Sequence, residues 1–236
     1  MKPNCDQSPL NTASHRSKLR VPEITETTES LENPETMFSA PQITRLHDDE
    51  CRLWHENPAA WTEESDGFLQ LVRVQHKANF DLWHIEDQAR IPAVADTQLA
   101  RAKRKIDVTN QRRNDLTEEL DRALLEWLKP LALPSTDAPL HSETPGLIID
   151  RLSILSLKMY HTNEEIDRQN APPDHAERNR ARLLILTEQR TDLAQCLDAL
   201  WTDIRAQKRR FKLYRQLKMY NDPSLNPAIY RLQDTH

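Results

Sequence analysis

The chain predicts an all-α fold: a helical bundle built from two related helical hairpins with flanking N- and C-terminal helices. Three observations predict it. Only two glycines occur in 236 residues, too few for a Rossmann fingerprint, a P-loop or a turn-rich barrel. Apolar residues recur at helical spacing through long segments bounded by proline. Finally, sliding the chain by 77 residues lays one hairpin on another without a gap. Trp83-His84-Ile85-Glu86-Asp87 then falls on Tyr160-His161-Thr162-Asn163-Glu164, Arg113 on Arg190, and Leu116, Leu120 and Asp121 on Leu193, Leu197 and Asp198.

Taken in order, residues 1–40 are rich in Ser, Thr, Pro, Asn and Glu without apolar periodicity and read as a disordered tail. Residues 41–236 read as a single all-α domain. A short helix is expected from Pro41 to Asn57, with Ile43, Leu46, Leu53 and Trp54 as its apolar contacts and Asn57-Pro58 as its stop. Hairpin one spans about 67–128. Its first helix, Gly67 to Arg90, has the stripe Leu71, Val74, Ala78, Leu82, Ile85 and Ala89, with His76, Asn79, Trp83, Glu86 and Asp87 on the other side. The second helix is capped by Asp96 or Thr97 and runs to about Leu128. Its core positions fall at Leu99, Ile106, Asn110, Arg113, Leu116, Leu120, Leu124 and Trp127.

The linker 129–142 is broken by Pro130, Pro134 and Pro139. Hairpin two covers about 143–207, and its first helix organises the chain. Thr144 is placed to cap it, Pro145 suits its first position, and Gly146 leaves backbone N–H groups approachable. Ile148, Leu152, Leu155, Met159 and Ile166 make a stripe, with Ile149, Ile154 and Leu157 off it, so this helix should be central. It should end near Asn170. The next helix runs from about Asp174 through Gln207, with Leu183, Leu186, Arg190, Leu193, Leu197, Leu200 and Ile204 inward. The basic segment 205–236 should continue that helix or begin another, and Leu225 to Tyr230 should dock.

Composition narrows the function. Charged residues make up 29% and apolar ones 37%, and three distant cysteines support neither a disulfide framework nor a thiolate metal site. No apolar run approaches the ~18 residues of a membrane span, and a cytoplasmic protein is expected. The net charge of −5 is uneven: residues 1–66 hold 13 acids and 6 bases, whereas 205–218 hold seven bases and no acid. An acidic chain with one basic patch suits a single anionic ligand better than general nucleic-acid binding. That patch is Arg205, Lys208, Arg209, Arg210, Lys212, Arg215 and Lys218. Interleaved with Phe211, Tyr214 and Tyr220, it is a second alternative site, for nucleic acid, although a solvated helix face is the more ordinary reading.

Polar residues on the predicted core stripes mark the candidate site. His84, Asp87, Asn110, Arg113, Asp150, Arg151, Lys158, His161 and Arg190 are the expected ligand-binding set, joining cations and imidazoles near the Pro145-Gly146 helix start. Phosphate-bearing small molecules, nucleotide sugars and glycan precursors fit it. No cofactor is expected. An alternative reading is a metal-dependent enzyme acting on a phosphorylated substrate. It takes His84, Asp87, His161 and Glu164 as ligands of a divalent ion, since a histidine and an acid three apart share a helical face. A third reading needs no ligand: Arg113 pairs with Asp87 and Arg190 with Glu164 as internal ion pairs.

Four blocks also resemble one family. They are NFDLWHIEDQAR at 79–90, KRKIDVTNQRRND at 103–115, ETPGLIIDRLSILSLKMYH at 143–161 and YRQLKMYNDPSLNPAIY at 214–230. Together they are similar to the uncharacterised bacterial family catalogued as domain of unknown function 4254, over roughly residues 42–232. The resemblance implies a helical protein with motif positions at Asn79, Trp83, His84, Glu86, Asp87, Arg90, Asn110, Arg113, Asp150, Arg151, Lys158 and His161. It implies a setting among genes of envelope polysaccharide synthesis, with glycosyltransferases as partners. No activity comes with it, and the oligomeric state is left open.

Overall fold

The computed structural model describes residues 37–60, 67–92, 95–214 and 223–227. Among them are five α-helices: α1 (Ala40–Glu56), α2 (Phe68–Ala89), α3 (Asp96–Leu128), α4 (Pro145–Asp167) and α5 (His175–Arg205), with no strand. α2 packs on α3 and α4 on α5, giving the two expected hairpins, and α1 lies against α2, α4 and α5. Packed against each of the other four, α4 is the central helix.

Local chemistry sets the helix starts. Ser39 caps α1 through a capping box with Gln42. Thr144 caps α4, its hydroxyl accepting from the Leu147 N–H at 3.3 Å. Gly146 is needed for a different reason from an open N-terminus: a Cβ there would sit 2.7 Å from the Thr117 carbonyl oxygen. Its N–H donates to Asp121 Oδ1 at 2.7 Å. Asp198, the 77-residue counterpart of Asp121, accepts the N–H of Ala40 at 2.8 Å and so holds the start of α1.

One apolar core draws on all five helices, with Leu120, Leu124, Ile148, Ile149, Leu152, Leu197 and Ile204 near its middle. Phe38 is buried between Phe68 and Trp201, at ring centroid distances of 5.3 and 5.0 Å. Ordered structure thus begins before the expected boundary at 40; residues 1–36 lie outside the described part.

Three expectations of inside and outside change. On α2 the buried side chains are Phe68, Val72, Arg73, Gln75, His76, Ala78, Asn79 and Phe80, so Ala78 of the expected stripe is buried whereas Leu71, Val74 and Leu82 are only half-buried. The polar face is enclosed by α1 and α4, where His76 meets the His47 carbonyl and Ser153 and Asn79 meets Asp150. Leu99 on α3 is 46% exposed, in a first half of that helix where most described residues are exposed. Over the described residues 206–214 the basic segment does not continue as helix. α5 ends at Arg205, Gln207 turns the chain with φ of 59°, and Arg210 forms an isolated parallel bridge with Leu140. Phe211 is buried there, Leu225 is exposed, and Tyr230 lies outside the described residues.

Candidate functional site

α1, α2 and α4 run parallel, and their registers bring polar side chains together in layers. His47 and His76, with ring centroids 4.5 Å apart, differ by 29 in number, as do His55 and His84 at 5.1 Å. His76 and Ser153 differ by 77, and so do His84 and His161. Two layers result, His47/His76/Ser153 and His55/His84/His161, separated by eight residues (just over two helical turns) on each helix.

In the first layer the His76 ring is satisfied on both nitrogens, whereas neither ring nitrogen of His47 meets a hydrogen-bond partner among the described residues. His76 Nε2–H donates to the His47 carbonyl at 3.0 Å, and Ser153 Oγ–H donates to His76 Nδ1 at 2.7 Å. Burial pushes His76 down to about 3 and His47 well below the ordinary imidazole value. Cys51 Sγ lies 3.3 Å from His76 Nε2, but burial raises the thiol to about 12. A cysteine held as thiol is no nucleophile at neutral pH, so this contact is not a Cys-His catalytic pair.

Beside it Asp150, 4% exposed, gathers donors from three side chains on two helices. Arg113 holds it bidentately at 2.8 and 2.7 Å, and Gln75 and Asn79 donate to Oδ1 at 2.6 and 2.9 Å. The hydrogen bonds to Asp150 raise the Arg113 pKa further. Asn110 accepts from Arg113 at 3.4 Å. Arg190 makes a comparable pair with Asp48, at 2.6 and 2.7 Å to its two oxygens, and also reaches Ser156 at 3.4 Å. Both guanidiniums are therefore internally paired, but with Asp150 and Asp48 rather than with Asp87 and Glu164.

The second layer is open. His84 and His161 meet with centroids 5.6 Å apart, and His55, which the sequence reading passed over, joins them. One ligand-capable atom from each of the three lies within 4.8 Å of the others. Asp87 stays outside, its side chain 59% exposed and 3.8 Å from Arg90. Glu164 reaches the group only by accepting from His161 Nδ1–H at 2.8 Å. Burial, and to a lesser degree His161 and His84, lower the His55 pKa.

Arg151 and Lys158 face another feature, a cleft of about 720 Å³ between α4 and α5. Its floor is Ile148, Ile154, Leu155 and Leu193, and its rim carries Glu143, Gln189, Asp192 and Cys196. Arg151 pairs with Glu143 at 2.7 Å. Lys158 is exposed and, among the described residues, has no carboxylate partner. Of the basic patch, Lys208, Arg209 and Lys212 are exposed and Arg210 Nε donates to the Ala138 carbonyl at 2.8 Å. Arg205 closes α5, and Arg215 and Lys218 lie outside the described residues.

A family model described as protein of unknown function (DUF4254) matches residues 69–213. The chain belongs to that family. Neither a curated protein nor a solved structure gives a match. The match spans both hairpins and includes His84, Arg113, Asp150, Lys158, His161 and Arg190, while α1 with His55 precedes it. No described helix is long and apolar enough to cross a membrane.

Proposed function

We propose that this family member is a binding protein for an anionic, hydroxyl-bearing small molecule held in the cleft between α4 and α5. The observation that supports the reading is Lys158, an exposed ammonium without an acidic partner among the described residues, set in a cleft of mixed lining. Its chemistry matches the parts of a glycosyl phosphate or nucleotide sugar. Lys158 takes a phosphate oxygen through a charge-assisted hydrogen bond. Asp192 and Gln189 accept from hydroxyls, and Ile154, Leu155 and Leu193 meet the apolar face of a ring. The paired guanidiniums Arg113 and Arg190 set the positions of α3, α4, α5 and α1 and do not touch this ligand. Such a ligand suits work beside glycosyltransferases on envelope polysaccharide precursors, the setting that the family resemblance implies.

Calorimetric titration with nucleotide sugars, glycosyl phosphates and inorganic phosphate tests this. A member of the panel should bind saturably, and Lys158→Glu should weaken it by about tenfold or more, as expected for loss of a charged hydrogen bond. Silence across the panel, or a Lys158→Glu protein that binds as well as the parent, would rule the reading out.

A further inference from the structure

The open histidine layer carries a second inference, independent of the cleft. A carbonyl oxygen or a carboxylate can only accept from an imidazole, so the partner of each Nδ1 assigns its tautomer. His55 Nδ1 lies 2.6 Å from the Cys51 carbonyl, and His84 Nδ1 lies 2.8 Å from the Phe80 carbonyl, both one turn back on their own helices. His161 Nδ1 lies 2.8 Å from Glu164 Oε2. All three rings therefore carry hydrogen on Nδ1 and, when neutral, a lone pair on Nε2. Those of His55 and His161 are buried and meet no donor.

We propose that His55, His84 and His161 bind a divalent transition-metal ion through their three Nε2 atoms, with Glu164 orienting the His161 ring by accepting from its Nδ1–H. Buried acceptors without donors are unfavourable, and one cation satisfies both while also taking the His84 Nε2. Fixing Nδ1–H on a carbonyl or carboxylate is how proteins aim a metal-binding imidazole and raise its basicity. The rings are also held by their faces. His161 stacks on Trp83 at 4.9 Å and 7°, His55 stacks on Tyr160 at 3.9 Å and 17°, and His84 lies 4.3 Å from the Phe80 ring. A tetrahedral ion with bonds of about 2.0–2.1 Å holds its ligand atoms about 3.3 Å apart. One ring nitrogen from each residue already lies within 4.8 Å of the others, so small side-chain rotations bring the three rings to that spacing.

Three nitrogen donors and no oxygen select zinc, cobalt, nickel or copper over magnesium or calcium. Three protein ligands leave a fourth position for water or an anion. Asp87, placed with the metal ligands on sequence spacing, is not part of the set.

The full chain is stripped with chelator and titrated with Zn²⁺, and separately with Co²⁺ for its visible spectrum. One equivalent of Zn²⁺ should bind and raise the melting temperature, and Co²⁺ should show the intense bands of a tetrahedral nitrogen site. Mg²⁺ should do neither. His55→Gln, His84→Gln and His161→Gln should each abolish the cobalt bands while retaining the helical circular dichroism of the parent. Glu164→Gln should weaken binding about 10–100-fold, and Asp87→Asn should leave it unchanged. The parent titration depends on no variant: absence of stoichiometric Zn²⁺ binding overturns the proposal. Unaltered cobalt spectra in the three histidine variants would place the ion elsewhere and overturn it equally.

Discussion

Asp150 concentrates more polar structure than any other described side chain on α4. One buried carboxylate anchors Arg113 from α3 and two amides from α2, so its removal strands a cation and two donors together. Breaking a buried ion pair typically costs about 3–5 kcal/mol. Because the Arg113 side chain is 25% exposed, Asp150→Ala should lie near the lower end, about 3 kcal/mol, in urea denaturation. The double variant Arg113→Met/Asp150→Leu should recover part of that loss. A single variant within 1 kcal/mol of the parent would mean that water takes over the role. Sequence spacing singled out both residues, but it paired Arg113 with Asp87. An interval of residues along two helices cannot say which of several nearby carboxylates a long guanidinium reaches.

At the scale of elements, the join between α3 and α4 is the tightest constraint the chain places on a side chain. Gly146 lies against the Thr117 carbonyl, and a backbone oxygen inside a helix cannot move aside as a flexible side chain would. Gly146→Ala should therefore destabilise by about 1–3 kcal/mol, despite the better helix propensity of alanine. Thermal unfolding followed by circular dichroism reads the change; a variant as stable as the parent would show that α3 and α4 slide freely. The helices themselves were legible, because proline stops, caps and a 3.6-residue apolar period are local signals. Their facing was less so. The stripe of α2 holds buried Ala78 and half-buried Leu71, Val74 and Leu82, yet the polar face with His76 and Asn79 is the more deeply buried one. A polar residue enclosed by two further helices carries no local mark of its burial.

For the whole molecule, the buried imidazoles set how stability responds to pH. In the unfolded chain they titrate near the ordinary 6.5, while in the fold His76 is pushed down to about 3 and His47 and His55 are also lowered. As pH falls below 6.5 the unfolded chain takes up these protons first, so the folded state loses stability. The slope is up to about 1.4 kcal/mol per pH unit for each such group. Asp121 works in the opposite sense. Burial raises it from 3.8 to about 6, so the folded chain binds its proton first and gains stability as pH falls through that window. One carboxyl against several imidazoles leaves a net loss. Urea midpoints should therefore drop steadily from pH 7 to pH 5, and His76→Asn should flatten the drop; a midpoint that stays level over that range would contradict this balance. The experiment is best run on chelated protein, since an ion on the second layer would add its own pH dependence.

By itself, the sequence determined the all-α class, the two hairpins, the central place of α4, the cap at Thr144 with Pro145 at the first helical position, and the family. Each of these follows from periodicity, from proline and glycine placement, or from blocks of neighbouring residues. The tertiary structure alone decided the registers between helices. Those registers sent Arg113 to Asp150 and Arg190 to Asp48, and they brought His55 from a helix outside both hairpins to stand with His84 and His161. The 77-residue offset between His84 and His161 was legible as a repeat, but the 29-residue offset that sets α1 beside α2 is fixed by packing alone and leaves no periodic mark in the sequence.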